Sequence, residues 1–158
     1  MKRLAIQLAC ALPLLLASCS RGPAPPAVLD TRTETCAWCR MSVSDPRLAA
    51  QLAAASEEPK FFDDIGCLRD YLIHAGDRPD GRIAYVADHR TKEWVSATRA
   101  LFTKSPTTET PMGSHLIAHA DAASRNADLG ARGGTPVTAE DIFGAAGPPG
   151  AAPAKEKE

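Results

Sequence analysis

The chain has 158 residues, a formal net charge of −1 and only 5% aromatic residues. Such a balance offers no electrostatic footprint for nucleic acid. The thin aromatic content predicts one modest domain, or two very small ones, stabilised further by whatever ligand it binds.

The first elements are not part of the fold. Lys2 and Arg3 precede an apolar run from Leu4 to Ala17, broken by Pro13, and Leu16-Ala17-Ser18-Cys19 ends it with small residues before a cysteine. This reads as a signal peptide over 1–18, too short to span a bilayer. The Leu-Ala-Ser-Cys ending resembles a bacterial lipoprotein leader, which implies lipidation at Cys19. Ser20 after the cysteine resembles the signal that sorts lipoproteins to the outer membrane. The expected localisation is therefore lipid-anchored in the cell envelope, facing the periplasm. Residues 19–34 are Pro-rich and predict a tether. Residues 144–158 are Ala/Pro/Gly-rich and then charged, and predict a disordered tail.

Between these ends, strand and helix patterns alternate. Arg47–Ala54 is a candidate strand whose alanines equally suit a helix, and Lys60–Asp64 is a short strand ending in two carboxylates. Gly66–Ala75 has helical apolar spacing and Gly76 as a stop. Ile83–Ala87 is the clearest strand. Glu93–Phe102 supplies strand or mixed material, Thr103–Pro111 a loop, and His115–Ala120 a strand. Asp121 caps an alanine-rich helix to Leu129. Thr135–Val137 is extended, and Ala139–Phe143 is a last helical turn. The order strand, strand, helix, strand occurs twice. It predicts an α+β fold of two small ββαβ units, 35–90 and 91–143.

The chemistry concentrates in Cys36-Ala37-Trp38-Cys39-Arg40-Met41. Two thiols and a thioether within six residues are soft donors, which select Cu(I). A structural or redox disulfide between Cys36 and Cys39, and a zinc site, are the competing readings. With Cys10 in the leader and Cys19 lipidated, Cys36, Cys39 and Cys67 remain, and an odd count cannot pair completely. Met112 sits in Thr110-Pro111-Met112-Gly113, a turn-like place that presents a side chain instead of packing it. Its competing reading is a core methionine. Asp63 and Asp64 are read as caps of the following helix, with Cys67 buried. Among the histidines, His115 is placed to add a nitrogen near Met112, and His74, His89 and His119 are expected at the surface. No phosphate loop, nucleophile elbow or His-Glu-x-x-His occurs, which lowers the enzyme reading.

Taken together, Cys36-x-x-Cys39-x-Met41, Phe62-Asp63-Asp64-Ile65-Gly66-Cys67, Val86-Ala87-Asp88 before Trp94-Val95-Ser96-Ala97, and Pro111-Met112-Gly113 resemble the NosL family. These are accessory lipoproteins of nitrous oxide reductase maturation in denitrification. The resemblance implies a non-enzymatic Cu(I) metallochaperone built from two similar ββαβ units, acting with a membrane ABC-type complex to supply the reductase's copper centres. By motif it implies Cys39, Met41 and Met112 as ligands, and Cys36 less securely. Gly113-Ser114-His115 departs from the family's Gly-aromatic-Gly, so His115 is not carried over by motif. A periplasmic thiol–disulfide oxidoreductase using Cys36 and Cys39 is the alternative.

Overall fold

A computed structural model describes residues 23–55, 57–74 and 81–150. The expected leader (1–18), the expected lipidation site Cys19 and the last residues of the expected tail (151–158) lie outside the described residues. Among the described residues no helix is long and apolar enough to cross a membrane.

The first sheet contains β1 (Ala50–Ala54), β2 (Glu57–Phe62), β3 (Ile83–Ala87) and β4 (Trp94–Ser96), in the order β2-β1-β3-β4, all neighbours antiparallel. Helix α1 (Ile65–His74) connects β2 to β3. The second sheet contains β5 (Leu101–Lys104), β6 (Leu116–His119) and β7 (Thr135–Val137), in the order β6-β5-β7. Helix α2 (Ala122–Ala127) and a 3-10 turn at Leu129–Ala131 connect β6 to β7, and α3 (Ala139–Phe143) follows. In each sheet the first strand of a ββαβ unit is central and its second and third strands flank it. The α+β reading with two similar units therefore holds. β4, although it falls within 91–143, adds to the first sheet.

Burial explains the compositions. β1 is central and covered on both faces, so Ala50, Gln51, Leu52 and Ala53 are all buried and no polar alternation survives. β2 is an edge strand whose exposed start carries Glu57 and Glu58, charges that discourage edge pairing. β6 is also an edge strand, yet all four of its residues are buried. The reason is that the units meet there: Asp88 bridges Ala118 in parallel, and the His89 amide donates to the Ala118 carbonyl at 2.8 Å. One core results, running from Cys36, Val43 and Phe62 through Leu68 to Phe102, Leu116 and Phe143. Thr103 and Lys104 continue β5, opposite Ile117 and Leu116, where a loop was expected.

Two flanking segments are more ordered than their compositions predict. In the expected tether, Gln51 donates to the Ala27 carbonyl and accepts from its amide. Tyr85 also donates to the Ala24 carbonyl at 2.7 Å. Ala24 is buried as a result, so the side-chain amide of a central strand recruits proline-rich chain as a cover. In the expected tail, the Pro149 carbonyl accepts from the Ala84 amide at 2.7 Å, so chain to Gly150 lies against β3.

Candidate metal centre

The centre is built by a tight hairpin docked on the start of α1. Thr35 bridges Ser42, the Met41 carbonyl accepts from the Cys36 amide at 2.7 Å, and the Cys36 carbonyl accepts from the Arg40 amide at 3.1 Å. Closing so short a loop puts Arg40 at φ 69°, a left-handed conformation that costs a non-glycine residue of order 1 kcal/mol. The Ala37 amide donates to the Phe61 carbonyl, which fixes the hairpin on β2. Cys36 is completely buried and Cys39 is half-buried, while Met41 is 45% exposed.

Facing them is the β2–α1 junction. Sulfur atoms of Cys36, Cys39 and Cys67 and a carboxylate oxygen of Asp63 all lie within 4.8 Å of one another. All three thiols are free. Cys39 Sγ donates to the Asp63 carboxylate at 3.3 and 3.4 Å. The Cys67 thiol donates to Cys36, and this outweighs burial in holding Cys36 down at about 6; the Asp63 and Cys39 amides assist. Cys67 is raised, by its bond to Cys36 first and by burial second. Cys39 is pushed up to about 11, chiefly by burial, although the Met41 amide favours its thiolate. Cys36 is thus the thiol of the cluster that ionises most readily, while Cys39 and Cys67 hold their protons more tightly.

Asp64 does a different job from its neighbour. Its carbonyl accepts the Cys67 and Leu68 amides and its carboxylate accepts the Gly66 amide at 2.6 Å, closing the first turn of α1 as expected. The same carboxylate also accepts the Met112 amide at 3.0 Å and the Ser114 hydroxyl, 48 and 50 residues away. Gly66 permits this approach, since a Cβ there would stand 2.9 Å from the Ser114 Cβ. Adjacent carboxylates therefore hold the two halves of the predicted ligand set: Asp63 touches Cys39, and Asp64 anchors the backbone of Met112. The Met112 side chain stays 50% exposed and does not fill the core.

An expected result follows for Asp64→Ala. Amide exchange at Met112 should rise to the rate of an open loop, with a stability loss of about 2 kcal/mol from the uncapped helix and unpaired donors. Unchanged protection at Met112 would show that the loop is held by something else.

The structure brings Cys36 and Cys39 together and adds Cys67, which sequence reasoning assigned to the core. The signals for Cys67 were the odd thiol count and its place in Phe62-Asp63-Asp64-Ile65-Gly66-Cys67. His115 follows the Met112 loop. Its backbone sits at φ 58°, its Nδ1 is 2.9 Å from the Thr108 carbonyl oxygen, and it is not part of the thiol cluster. His89 and His119, expected at the surface, are buried. His119 lies on β6, the strand covered by the first unit, and His89 follows β3 into the same seam.

A cluster of three thiols and one carboxylate can hold a soft cation, because sulfur supplies polarisable donors and Asp63 offsets positive charge. Fold and cluster together define a small α+β protein with a thiol-rich cluster that can hold a metal ion. The chain belongs to the NosL family, whose model, described simply as NosL, matches residues 27–146. That family is one of copper-binding accessory proteins. No curated protein and no solved structure matches the chain.

Proposed function

We propose that this chain is a Cu(I) metallochaperone that delivers copper for the assembly of nitrous oxide reductase copper centres, and not an enzyme. The observation that carries the proposal is the convergence of Cys36, Cys39 and Cys67, with one exposed thioether, Met41, on the hairpin of Cys39 and another, Met112, on the Asp64-anchored loop. Cys36 and Cys39 supply thiolate affinity, and Cys67 holds the Cys36 charge until metal arrives. Met41 and Met112 supply weaker bonds that do not titrate and that exchange with a partner's ligands. Asp63, 3.3 Å from the Cys39 sulfur, lies where it can relay that thiol's proton to solvent on loading.

The proposed setting follows from the leader: a lipid on Cys19 anchors the protein in the envelope, facing the periplasm, at the outer membrane. Its proposed partners are a membrane ABC-type maturation complex and, through it or directly, the reductase.

X-ray absorption on the Cu(I)-loaded mature chain tests the site. The expected spectrum is dominated by sulfur scatterers, and one fitted by nitrogen and oxygen alone overturns the proposal. Met112→Ala should weaken Cu(I) binding about tenfold in chelator competition, the scale of one exchangeable ligand. Unchanged affinity removes Met112 from the set.

The lowered Cys36 thiol also favours a thiol–disulfide oxidoreductase. Burial argues against it, because a redox nucleophile must be reached by its substrate, and Cys36 is fully covered. Equilibration with a glutathione buffer separates the readings: the oxidoreductase cycles Cys36–Cys39 and reduces a disulfide substrate, whereas the carrier does not.

A further inference from the structure

A second donor cluster lies in the seam between the two units, apart from the thiols. Asp128 Oδ2 is 2.6 Å from His89 Nδ1 and 2.9 Å from His119 Nε2, and all three residues are buried. We propose that this is a second metal site, selective for a borderline divalent cation of the zinc class.

The donor set is the first argument. Two imidazoles and a carboxylate suit Zn2+ and similar divalent ions, as thiolates and thioethers suit Cu(I), so the two sites divide ions by softness. The second argument is support. Asp128 Oδ1 accepts the Gly130 amide at 2.8 Å, which leaves Oδ2 aimed at both rings. The His89 ring lies against Gly130, where a Cβ would stand 2.9 Å from its Cε1. The carboxylate is thus oriented by a backbone amide, as ligating carboxylates in metal sites are.

The third argument is the pair of outer nitrogens. His89 Nε2 and His119 Nδ1 are buried and make no hydrogen bond. No outer partner therefore opposes a change of tautomer in either ring. Without metal, each proton rests on the inner nitrogen and points at Asp128. With metal, the ion takes the inner lone pairs and an Asp128 oxygen, and each ring proton moves to the outer nitrogen. No electron is transferred and no net proton is released. Bonds of about 2 Å require the three donors to spread by roughly half an ångström.

Access is the fourth argument. His89 and Asp128 form part of the wall of an open cleft of about 460 Å3, with Arg47, Thr108, Glu109 and Gly130. Arg47 is paired with Asp45 at 2.7 Å, which offsets its charge, and Glu109 adds an acidic group. Water in the cleft can complete the coordination.

The test uses the mature chain with Cu(I) already on its thiols. Zn2+ is titrated in while the imidazole nitrogens are followed by NMR. The expected result is one further equivalent, with His89 Nδ1 and His119 Nε2 moving to metal-bound shifts. Co2+ at the same site should give ligand-field bands without a thiolate charge-transfer band. His119→Gln should weaken this equivalent at least tenfold and leave copper content unchanged. Zn2+ uptake without movement of those ring nitrogens, or no uptake, overturns the proposal. Should His119→Gln fail to fold, the native ring resonances still decide. The same shifts are expected in copper-free chain, so failure of the thiol site to take copper does not affect the outcome.

Discussion

Cys39→Ser should lower Cu(I) affinity by roughly 100- to 1,000-fold in chelator competition, the scale of one thiolate removed from a site worth 10 kcal/mol or more. Cys39 is the thiol at the edge of the cluster, between buried Cys36 and exposed Met41, so an entering ion meets it first. Its proton is bound tightly, at about 11, mainly because burial disfavours the thiolate. Copper must displace that proton, so apparent affinity should climb about tenfold per pH unit around neutrality. Cys36→Ser should cost a similar factor, since it removes the thiol whose ionisation Cys67 favours most. Cys67→Ser should cost much less, because a hydroxyl can still donate to Cys36. Equal losses for all three serines would make Cys67 a ligand in its own right, and no loss for Cys39→Ser would sink the soft-donor site.

The local part of this arrangement was legible in the chain. Cys36-x-x-Cys39-x-Met41 is one hairpin, and residues that act within six positions announce themselves by spacing. The helix after Asp64, the cap at Asp121 and the strand at Ile83–Ala87 were legible for the same reason: their causes are neighbours in sequence. What escaped is long-range. Asp64 reads as a helix cap, and it is one, but its second role on the Met112 loop spans 48 residues and leaves no pattern. His119 alternates like an exposed edge residue, and only the docking of β3 against β6 buries it. Ala24 and Ala27 look like linker because nothing local shows that Gln51 and Tyr85 seek their backbone.

These misses share a cause. Gln51, Asp64, Asp88, His89, His119 and Asp128 are buried polar groups whose partners come from distant segments. In a chain with few aromatics, such groups take over work that a larger apolar core would do. All but Gln51 fix how the units meet, and that register places Met112 through Asp64 and the histidine cluster through the seam where the units join.

Asp88 is the most connected of them, and Asp88→Asn should be the most damaging substitution outside the metal sites. Its Oδ1 accepts from the Arg90 and Thr91 amides and the Ser124 hydroxyl, and its Oδ2 accepts from the Ala120 amide at 2.8 Å. It thereby ties the end of β3 to the chain after β6 and to α2. Burial opposes its charge, but the bonds from Ala120, Thr91, Ser124 and Arg90 outweigh burial and hold the carboxyl down at about 2. Asparagine turns an NH2 group toward a donor and leaves a buried N–H unpaired, at a cost of about 3 kcal/mol. For a domain of this size that is a fall in Tm of about 10 °C. The acid dependence has a definite sign. A depressed carboxyl stabilises the fold above its unfolded value near ~4 and loses that contribution as pH falls toward about 2. The native chain's margin over Asp88→Asn should therefore be full at pH 6 and shrink steadily below pH 4, by roughly 2–3 kcal/mol. Thermal melts of the two metal-free chains from pH 6 to pH 2 measure it. A margin that stays constant across that range would mean that shape, and not the charge on Asp88, holds the seam.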